Sequence, residues 1–359
     1  MRIMDEHDKL RAGQLPADPL EGTVAYSAVS AEVARAAGAV RTPRLPVSAA
    51  VAEWQAFQRG DVRPVPVPWD ALTSRLVGGG LLPRSCTVLV GATGSGKTQF
   101  SVQIGVHAAQ QGTPVLYVAL EADQAELVAR CATVLNPDLY WSSILLGKQT
   151  LPQADIDRLA ALPFHATFPE PRRFSADRLT EHVGDVTAAY PGATPLVVVD
   201  FLQLVGANDG DRKDLRERVG DVAYAARDLA RQTGCAMLLV SSTARENLAT
   251  LTGDGGSKKE ASRERQARAG RGDPFRLVGL GKETGDIENS ATAVLVLGRD
   301  SYTAHGPTEM FLAIAKQRAG TGGWVEFLFD GRTFIETSQQ RLDDAEEVQT
   351  ISVARPKRR

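Results

Sequence analysis

The sequence predicts an α/β fold with a mostly parallel central sheet. Short, continuously apolar runs recur along the chain, as is typical of strands that are buried on both faces. Longer segments with helical periodicity separate these runs, which is the order of elements in a parallel sheet. A glycine-rich segment, residues 91–98, lies between a predicted strand and a predicted helix. These features indicate an α/β domain that can bury a full core.

The predicted strands follow the apolar runs. In chain order they cover residues 87–90, 114–120, 195–200, 236–240 and 291–298. Nearer the C-terminus, residues 309–318 and 324–330 flank a glycine-rich turn and predict a β-hairpin.

The predicted helices follow the strands. Residues 99–111 and 122–135 come after the first two strands, and residues 213–234 form the clearest amphipathic segment, which ends at Gly234. Its apolar face consists of Leu215, Val219, Val222, Ala226 and Leu229.

Residues 1–62 predict a short helical N-terminal extension. Helices are predicted at 27–39 and 47–59, and the second carries an apolar stripe of Val47, Val51, Trp54 and Phe57. The stripe either packs on its own domain or docks on another subunit. Residues 62–68, VRPVPVP, predict an extended linker because alternate prolines exclude helix. We therefore expect an extension (1–62), one α/β domain (63–337) and a flexible polar tail (338–359).

Composition excludes several classes of protein. Lys plus Arg is 41 and Asp plus Glu is 43, so the net charge of −2 excludes a binder of nucleic acid driven by total charge. The cysteines, Cys86, Cys131 and Cys235, lack the spacing of a zinc site. The N-terminal residues lack a signal peptide's apolar run, and no apolar stretch is long enough to span a bilayer. We expect a cytoplasmic protein with no membrane partner.

The segment GATGSGKT matches the phosphate-loop pattern G-x-x-x-x-G-K-[ST]. In such a loop, backbone amides surround the phosphates, the lysine binds phosphate oxygens and the final hydroxyl binds Mg²⁺. The alternative is a flexible strand–helix turn that happens to contain these residues. The pattern predicts binding of ATP and Mg²⁺ by Gly91, Thr93, Gly94, Ser95, Gly96, Lys97, Thr98 and Gln99.

Two acidic residues follow predicted strands. Asp200 ends the strand PLVVVD, where a carboxylate reaches Mg²⁺ together with Thr98, although such an aspartate can also be a turn residue. Glu121 follows PVLYVAL, and it either activates the attacking water or begins the next helix. Spacing alone does not choose between these roles.

From about residue 63 to 336, the chain resembles the RecA-type motor domain of DnaB-type replicative hexameric helicases. The resemblance rests on GGGLLPRSCTVLVGATGSGKT, VLYVALEADQAELVAR, PLVVVDFLQLV, LLVSSTAR, GKETGDIENSA and AIAKQRAGTGGWVEFLF, in that order. It implies a RecA-like P-loop NTPase fold and a ring of identical subunits, a hexamer. It also implies ATP hydrolysis at subunit interfaces, with single-stranded DNA as a partner. The sequence identifies no loader or other replication partner.

The resemblance also implies residue roles. Glu121 matches the catalytic base, and Gln203 matches a position that links the nucleotide site to DNA. Lys316 and Arg318 match a hairpin pair that reaches the γ-phosphate of the neighbouring subunit, so hydrolysis would depend on assembly. DNA-phosphate contacts are implied for Lys282, Glu283 and Gly285.

The chain departs from the family in three places. Ser242 replaces a polar sensor Gln within Ser241–Arg245, and nothing matches the N-terminal collar domain. A longer loop follows Arg245, and its segment 257–276 has seven basic and three acidic residues. This segment is either a solvated loop or a contact for DNA phosphates. The DNA-binding candidates are Arg245, Lys258, Lys259, Arg263, Arg265 and Arg268.

The expected function is an ATP-dependent DNA helicase or translocase. Two alternatives remain at this point: a nucleotide-switched regulatory ATPase that assembles without unwinding DNA, and a DNA-binding adaptor whose ATP site is a structural clamp.

Overall fold

The computed structural model describes the α/β domain in five stretches. These are residues 63–206, 214–242, 273–278, 289–301 and 307–337, together with residues 47, 51, 55 and 58–60 of the extension. The predicted helix at 27–39, the predicted tail at 338–359 and most of the basic segment lie outside the described residues.

The described strands and helices alternate through most of the domain. The strands are β1 (Ser85–Gly91), β2 (Val115–Ala119), β3 (Phe164–Thr167), β4 (Leu196–Asp200), β5 (Ala236–Ser242), β6 (Ala293–Ser301), β7 (Thr308–Gln317), β8 (Gly323–Phe329) and β9 (Phe334–Glu336). The helices are α1 (Asp70–Arg75), α2 (Lys97–Gln110), α3 (Gln124–Leu135), α4 (Trp141–Leu145), α5 (Gln153–Ala160), α6 (Ala176–Ala189) and α7 (Leu215–Thr233).

The described strands form one mixed sheet in the order β3-β2-β4-β5-β1-β6-β7-β8-β9. Pairing is parallel from β3 to β6 and antiparallel from β6 to β9. The predicted α/β class, the mostly parallel sheet and the C-terminal hairpin, formed by β7 and β8, are confirmed. Short strands β3 and β9 extend the sheet at its two edges and were not predicted.

Apolar side chains on both faces of the sheet explain why the strands could be predicted. Every residue of β1, β2 and β4 is buried. Helix α7 covers one face with the predicted stripe, of which Val219, Val222, Ala226 and Leu229 are buried. An Asp214–Glu217 capping box begins this helix, and Gly234, in the left-handed region, ends it. Because both faces of these parallel strands are covered, a ligand can bind only at the strand ends.

The segment predicted as a linker is extended but not free. Val65 pairs with Leu81, and the two residues exchange backbone hydrogen bonds of 2.8 and 2.9 Å. Val65 and Val67 are buried, and the prolines that alternate with them, Pro64, Pro66 and Pro68, are half-buried. The prediction of a linker over residues 62–68 is therefore wrong for the described residues from Val65 onward, because the alternating valines are buried in the domain, as in a half-buried strand.

The chain divides into two units, Met1–Arg63 and Pro64–Arg359. In the first unit, Val47, Val51, Gln55 and Gln58 are helical, and the Arg59 N–H donates to the Gln55 carbonyl at 2.9 Å. Val47 and Val51 are exposed, whereas Trp54 and Phe57 lie outside the described residues. Among the described helices, none is both long and apolar enough to cross a membrane.

An aromatic cluster joins the beginning and the end of the α/β domain. The ring of Trp69 stacks on Phe100 of α2 at 4.3 Å and contacts Phe327 of β8 edge-on at 5.1 Å. The indole N–H of Trp69 donates to the carbonyl of Phe334 in β9 at 2.9 Å. The cluster therefore fastens the helix that follows the phosphate loop to the last two strands.

We expect Trp69→Ala to lower the free energy of unfolding by about 3–5 kcal/mol, because it removes a buried ring and leaves a cavity. Trp69→Phe keeps the stacking and should cost about 1–2 kcal/mol for the lost hydrogen bond. Urea unfolding measures both, with Tyr224→Ala on the exposed side of α7 as the control. Equal stability of Trp69→Ala and wild type would contradict the role of the cluster.

Candidate nucleotide-binding site

The phosphate loop connects the end of β1 to the start of α2. Gly94 and Gly96 adopt φ angles of 77° and 84°, which lie in the left-handed region that favours glycine. A Cβ on Gly91 would lie 2.7 Å from Ser95 Oγ and 2.8 Å from the carbonyl oxygen of Leu297. The loop is therefore a tight backbone turn at a helix N-terminus, which is the geometry that phosphate binding requires.

Lys97 lies inside this loop. Its Nζ donates to the carbonyl oxygen of Ala92 at 2.9 Å, and burial lowers the pKa of the ammonium. The carboxylates of Asp200 and Glu121 act in the opposite direction and favour its charged form. A cation held at the floor of the loop, next to two acids, is suited to binding phosphate oxygens.

The carboxylate of Asp200 is buried at the end of β4, with 1% of the residue exposed. Its Oδ2 accepts a hydrogen bond from the Tyr117 hydroxyl at 2.8 Å, and Tyr117 is in turn 2.8 Å from Ser101 Oγ. Burial raises the pKa of Asp200, while the hydroxyls of Tyr117 and Thr98 and the charge of Lys97 oppose the rise.

Two polar atoms at this site have no hydrogen-bond partner among the described residues. They are Asp200 Oδ1 and Ser95 Oγ, and both are buried. The carboxylate of Asp200 lies near the Thr98 hydroxyl, and its Oδ1 is buried without a hydrogen-bond partner. This arrangement fits a Mg²⁺ ion, which prefers oxygen ligands. The residues present therefore fit the cofactor that the sequence predicts.

Glu121 lies beside Asp200 at the same edge of the sheet. The backbone N–H of Leu120 donates to the carbonyl of Asp200 at 2.8 Å, which fixes the two strand ends together. Burial raises the pKa of Glu121, the charge of Asp200 adds to the rise, and Lys97 opposes it. Helix α3 is capped by Asp123, whose carboxylate accepts from the Glu126 N–H at 2.8 Å. The carboxylate of Glu121 therefore lines the pocket without capping the helix.

The outer wall of the pocket contains residues that the sequence analysis missed. Arg130 of α3 bonds Glu126 through Nε and Nη2 at 2.8 and 2.6 Å, and its Nη1 donates to Gln99 at 3.2 Å. Its guanidinium lies 3.9 Å from the ring centroid of Trp141. The i,i+4 pair of Glu126 and Arg130 is a local signal in the sequence, whereas the contact with Trp141 is not.

The turn between β8 and β9 closes the other side of the pocket. Trp141 Nε1 donates to the carbonyl of Gly331 at 3.2 Å, and Phe329 lies beside Gly96. The guanidinium of Arg332 lies 4.4 Å from the ring centroid of Tyr140. Burial alone would raise the pKa of Asp330, but hydrogen bonds from Thr333 and Arg332 lower it below its ordinary value. This ionised pair holds the turn in place.

These elements enclose a cavity of about 400 Å³. Most of the predicted nucleotide residues line it: Thr93, Gly94, Gly96, Lys97, Thr98, Gln99, Glu121 and Asp200. Gly91 and Ser95 belong to the same loop, but they are buried and do not line the cavity. Another unpredicted residue, Arg299 of β6, supports the loop from outside by donating to the carbonyl of Gly94 at 3.2 Å.

Gln203 does not line the cavity. Its Nε2 donates to Ser241 Oγ at 2.8 Å, and its Oε1 accepts from the Ser242 N–H at 3.1 Å. Ser242 itself lines the cavity. Gln203 thus contacts the end of β5 and is one residue removed from the nucleotide pocket.

Lys316 and Arg318 lie toward the opposite end of the strands from the phosphate loop. In the register of β6, Lys316 pairs with Val294, next to the beginning of the strand, whereas Gly91 of the phosphate loop pairs with Leu297. Three strand residues separate these two rows, or about 10 Å, and Arg318 lies still farther away. The structure therefore does not bring either cation to the pocket of its own chain.

The predicted DNA contacts lie outside the described residues. These are Arg245, Lys258, Lys259, Arg263, Arg265, Arg268, Lys282, Glu283 and Gly285. Within the basic segment, residues 273–276 are described, and Asp273 caps a short 3₁₀ helix that continues to Leu277.

A phosphate loop after a parallel strand, with an aspartate ending a second strand and a glutamate following a third, defines a P-loop NTPase. Residues 67–247 match the family described as an AAA domain. The match spans half of the chain, and the protein belongs to this family of ATPases. Among curated proteins, none matches the chain.

Two solved structures share the fold. A DnaB-like replicative helicase, solved for its interactions with primase, superposes with a TM-score of 0.62 at 17% identity, covering 93% of this chain and 74% of that one. A second structure, described as an ATPase domain, superposes with a TM-score of 0.63 at 17% identity, covering 80% of this chain and 97% of that one. The similarity to the DnaB-type motor domain is thus confirmed at the level of the fold.

We expect Asp200→Asn to abolish hydrolysis without destabilising the protein. The folded protein holds the Asp200 proton to a higher pH than the unfolded chain, so ionisation costs stability as the pH rises through the folded-state pKa. Asn removes this charge and keeps an oxygen for the Tyr117 hydroxyl.

Urea unfolding at neutral and acidic pH tests this expectation. The stability of the variant should equal or exceed that of wild type at neutral pH, and the difference should shrink in acid. A variant that is less stable than wild type at neutral pH would contradict the cost of burying this charge.

Proposed function

We propose that the protein is a ring-forming ATP-dependent DNA helicase or translocase that acts on single-stranded DNA. The ring is a hexamer of identical subunits in the cytoplasm, and each ATP is hydrolysed at a subunit interface. Membership of the AAA-domain family and the helicase-like fold support an ATPase of this kind. The residues that surround the pocket supply the proposed chemistry.

The phosphate loop binds the triphosphate. Backbone amides of residues 93–98 and the ammonium of Lys97 hold its oxygens, and the Ser95 hydroxyl is available as a further donor. Thr98 and the unpartnered oxygen of Asp200 would hold Mg²⁺. When bound, this ion neutralises charge on the β- and γ-phosphates.

Glu121 acts as the general base. Its carboxylate lines the pocket next to Lys97 and Asp200, where it can orient a water molecule and accept its proton. Its raised pKa makes the carboxylate a stronger proton acceptor than a fully solvated glutamate. Hydrolysis should therefore fall as the pH drops through this raised pKa, because the protonated carboxyl no longer accepts.

One observation carries the proposal that the active unit is an assembly. Lys316 and Arg318 lie away from the phosphate loop of their own chain, toward the opposite end of the strands, which supports the proposal that they serve another subunit's nucleotide. A contact of this type joins different surfaces of identical subunits, and it closes into a ring when the rotation between subunits allows. Cations supplied in trans stabilise the charge that develops during phosphoryl transfer.

DNA contact is assigned to the loops that follow β5. The proposed residues are Arg245, Lys258, Lys259, Arg263, Arg265, Arg268, Lys282, Glu283 and Gly285, and their contacts go to the DNA backbone. In this proposal Gln203 links the loops to the pocket, because its amide bonds Ser241 and Ser242 at the end of β5, three residues before Arg245.

A second function is favoured by Ser242. This residue lines the pocket at the position where the helicase family has a longer polar side chain. A serine hydroxyl reaches less far toward a γ-phosphate, which would weaken the coupling between hydrolysis and movement on DNA. The protein would then be a nucleotide-switched regulatory ATPase that assembles without unwinding.

Mixed assemblies test the trans arrangement. We expect Arg318→Ala and Glu121→Gln to be inactive alone and to regain activity when mixed, because about a quarter of the interfaces in an equal mixture combine an intact base with an intact finger. Lys97→Ala mixed with Glu121→Gln is the control, since both substitutions damage the same side of the interface. Absence of recovery in assemblies shown to be mixed would contradict the proposal.

DNA assays separate the two functions. We expect single-stranded DNA to stimulate the ATPase and the protein to displace a strand from a forked duplex. Replacing Lys258, Lys259, Arg263, Arg265 and Arg268 by Ser should weaken DNA binding and flatten its salt dependence, because fewer counterions are released. ATP-dependent assembly without strand displacement would favour the regulatory ATPase.

A further inference from the structure

Gln317 ends β7 between the two cations that are proposed to act in trans. Its side-chain amide forms hydrogen bonds in two directions. Oε1 accepts from the backbone N–H of Val77 at 2.8 Å, and Nε2 donates to the carbonyl of Arg75, the last residue of α1, at 3.0 Å. Gln317 thus fastens the base of the β7–β8 hairpin to the segment that follows α1.

The turn of the hairpin is built closely around this amide. Nε2 of Gln317 makes a second, longer contact with the carbonyl of Thr321 at 3.3 Å. A Cβ on Gly320 would lie 2.3 Å from the same nitrogen and 2.7 Å from a methyl group of Val77. A side chain at position 320 would therefore displace the amide from its partners.

Hydrogen bonds on both sides hold the base of the hairpin. A small cavity of about 40 Å³ lies between the hairpin and the segment after α1, and Leu76, Gln317 and Arg318 are among its lining residues. The backbone N–H of Arg318 donates to the carbonyl of Thr292 at 3.1 Å, which holds the other side of the strand end. The amide of Gln317 and the backbone N–H of Arg318 therefore hold the strand end from two sides.

The two cations flank this fixed residue. Lys316 precedes Gln317 within β7, so these two side chains leave the strand on opposite faces. Arg318 lies in the turn that follows, where its backbone N–H is held by the carbonyl of Thr292. Anchoring Gln317 therefore fixes the stretch of backbone from which both cations extend.

We propose that Gln317 is a positioning residue for Lys316 and Arg318. It holds the hairpin base against α1 so that both cations reach the nucleotide of the adjacent subunit. The inference rests on the proposed function, because it assigns Gln317 a part in catalysis in trans. A displacement of about 1 Å at such a group is enough to reduce turnover up to a hundredfold.

The substitution Gln317→Met tests this role in the full-length protein. Methionine has a similar length and removes the hydrogen bonds. We expect kcat to fall about tenfold or more. The dissociation constant for a fluorescent ATP analogue should stay within about twofold, because the phosphate loop lies toward the opposite end of the strands. Gln153→Met on α5, where the glutamine donates to Asp157 at the surface, is the matched control and should change neither quantity.

Mixed assemblies distinguish a positioning role from general damage. Gln317→Met should regain activity when mixed with Glu121→Gln and should not regain it with Arg318→Ala, because the latter pair damages the same side of the interface. Should Gln317→Met fail to fold or assemble, Gln317→Glu replaces it. That variant keeps the acceptor for Val77 but sets a carboxylate oxygen against the carbonyls of Arg75 and Thr321, so we expect kcat to fall with the same pattern of recovery.

Two results would overturn the inference: full turnover by both Gln317 variants, or no recovery with Glu121→Gln under conditions in which Arg318→Ala recovers. Failure of the proposed function looks different. If Lys316→Ala and Arg318→Ala both hydrolyse ATP at the wild-type rate, no trans cation exists for Gln317 to position, and the inference is overturned together with the proposal.

Discussion

The carboxylate of Asp200 is a negative charge enclosed at the end of β4, and the arrangement of its neighbours follows from the cost of enclosing it. Burial of an unpaired charge is expensive, so a hydroxyl from Tyr117 and the nearby cation of Lys97 compensate part of it. The remaining oxygen has no partner among the described residues. Parallel pairing brings the ends of β1, β2 and β4 to this point, so the phosphate loop, Glu121 and Asp200 share one environment.

The elements that could be predicted are those with a local sequence pattern, such as an apolar run or a helical periodicity. Continuously apolar runs identified the buried strands, and the stripe on α7 identified its buried face. Short β3 and β9 carry only four and three residues, too few for a periodic signal. Residues 62–68 were interpreted as an extended linker because of their prolines, although the alternating valines among them are the pattern of a half-buried strand. The prolines led to the interpretation as a linker, whereas the alternating valines determine that the segment packs on the domain.

The site likewise contains residues that a local motif predicts and residues that only the folded chain brings together. The phosphate loop and the strand-ending acids are contiguous in sequence, so they could be predicted, whereas the outer wall depends on distant contacts. Trp141 meets Gly331 across 190 residues, and Arg299 reaches Gly94 across 205. No local pattern encodes such pairs. The location of Lys316 and Arg318 required the register of three strands, because residue type alone does not say at which end of the strands a side chain lies.

The contact between Trp69 and Phe334 has a consequence for the synthesis of the protein. These residues are 265 positions apart, so the indole cannot find its carbonyl partner until β9 has left the ribosome. At roughly 5–20 residues per second, translation of the intervening chain takes on the order of 10–50 s. During this interval Trp69 and Phe100 lack the rings of β8 and β9 that cover them, and the nascent chain presents an aromatic surface to the chaperones that bind such surfaces.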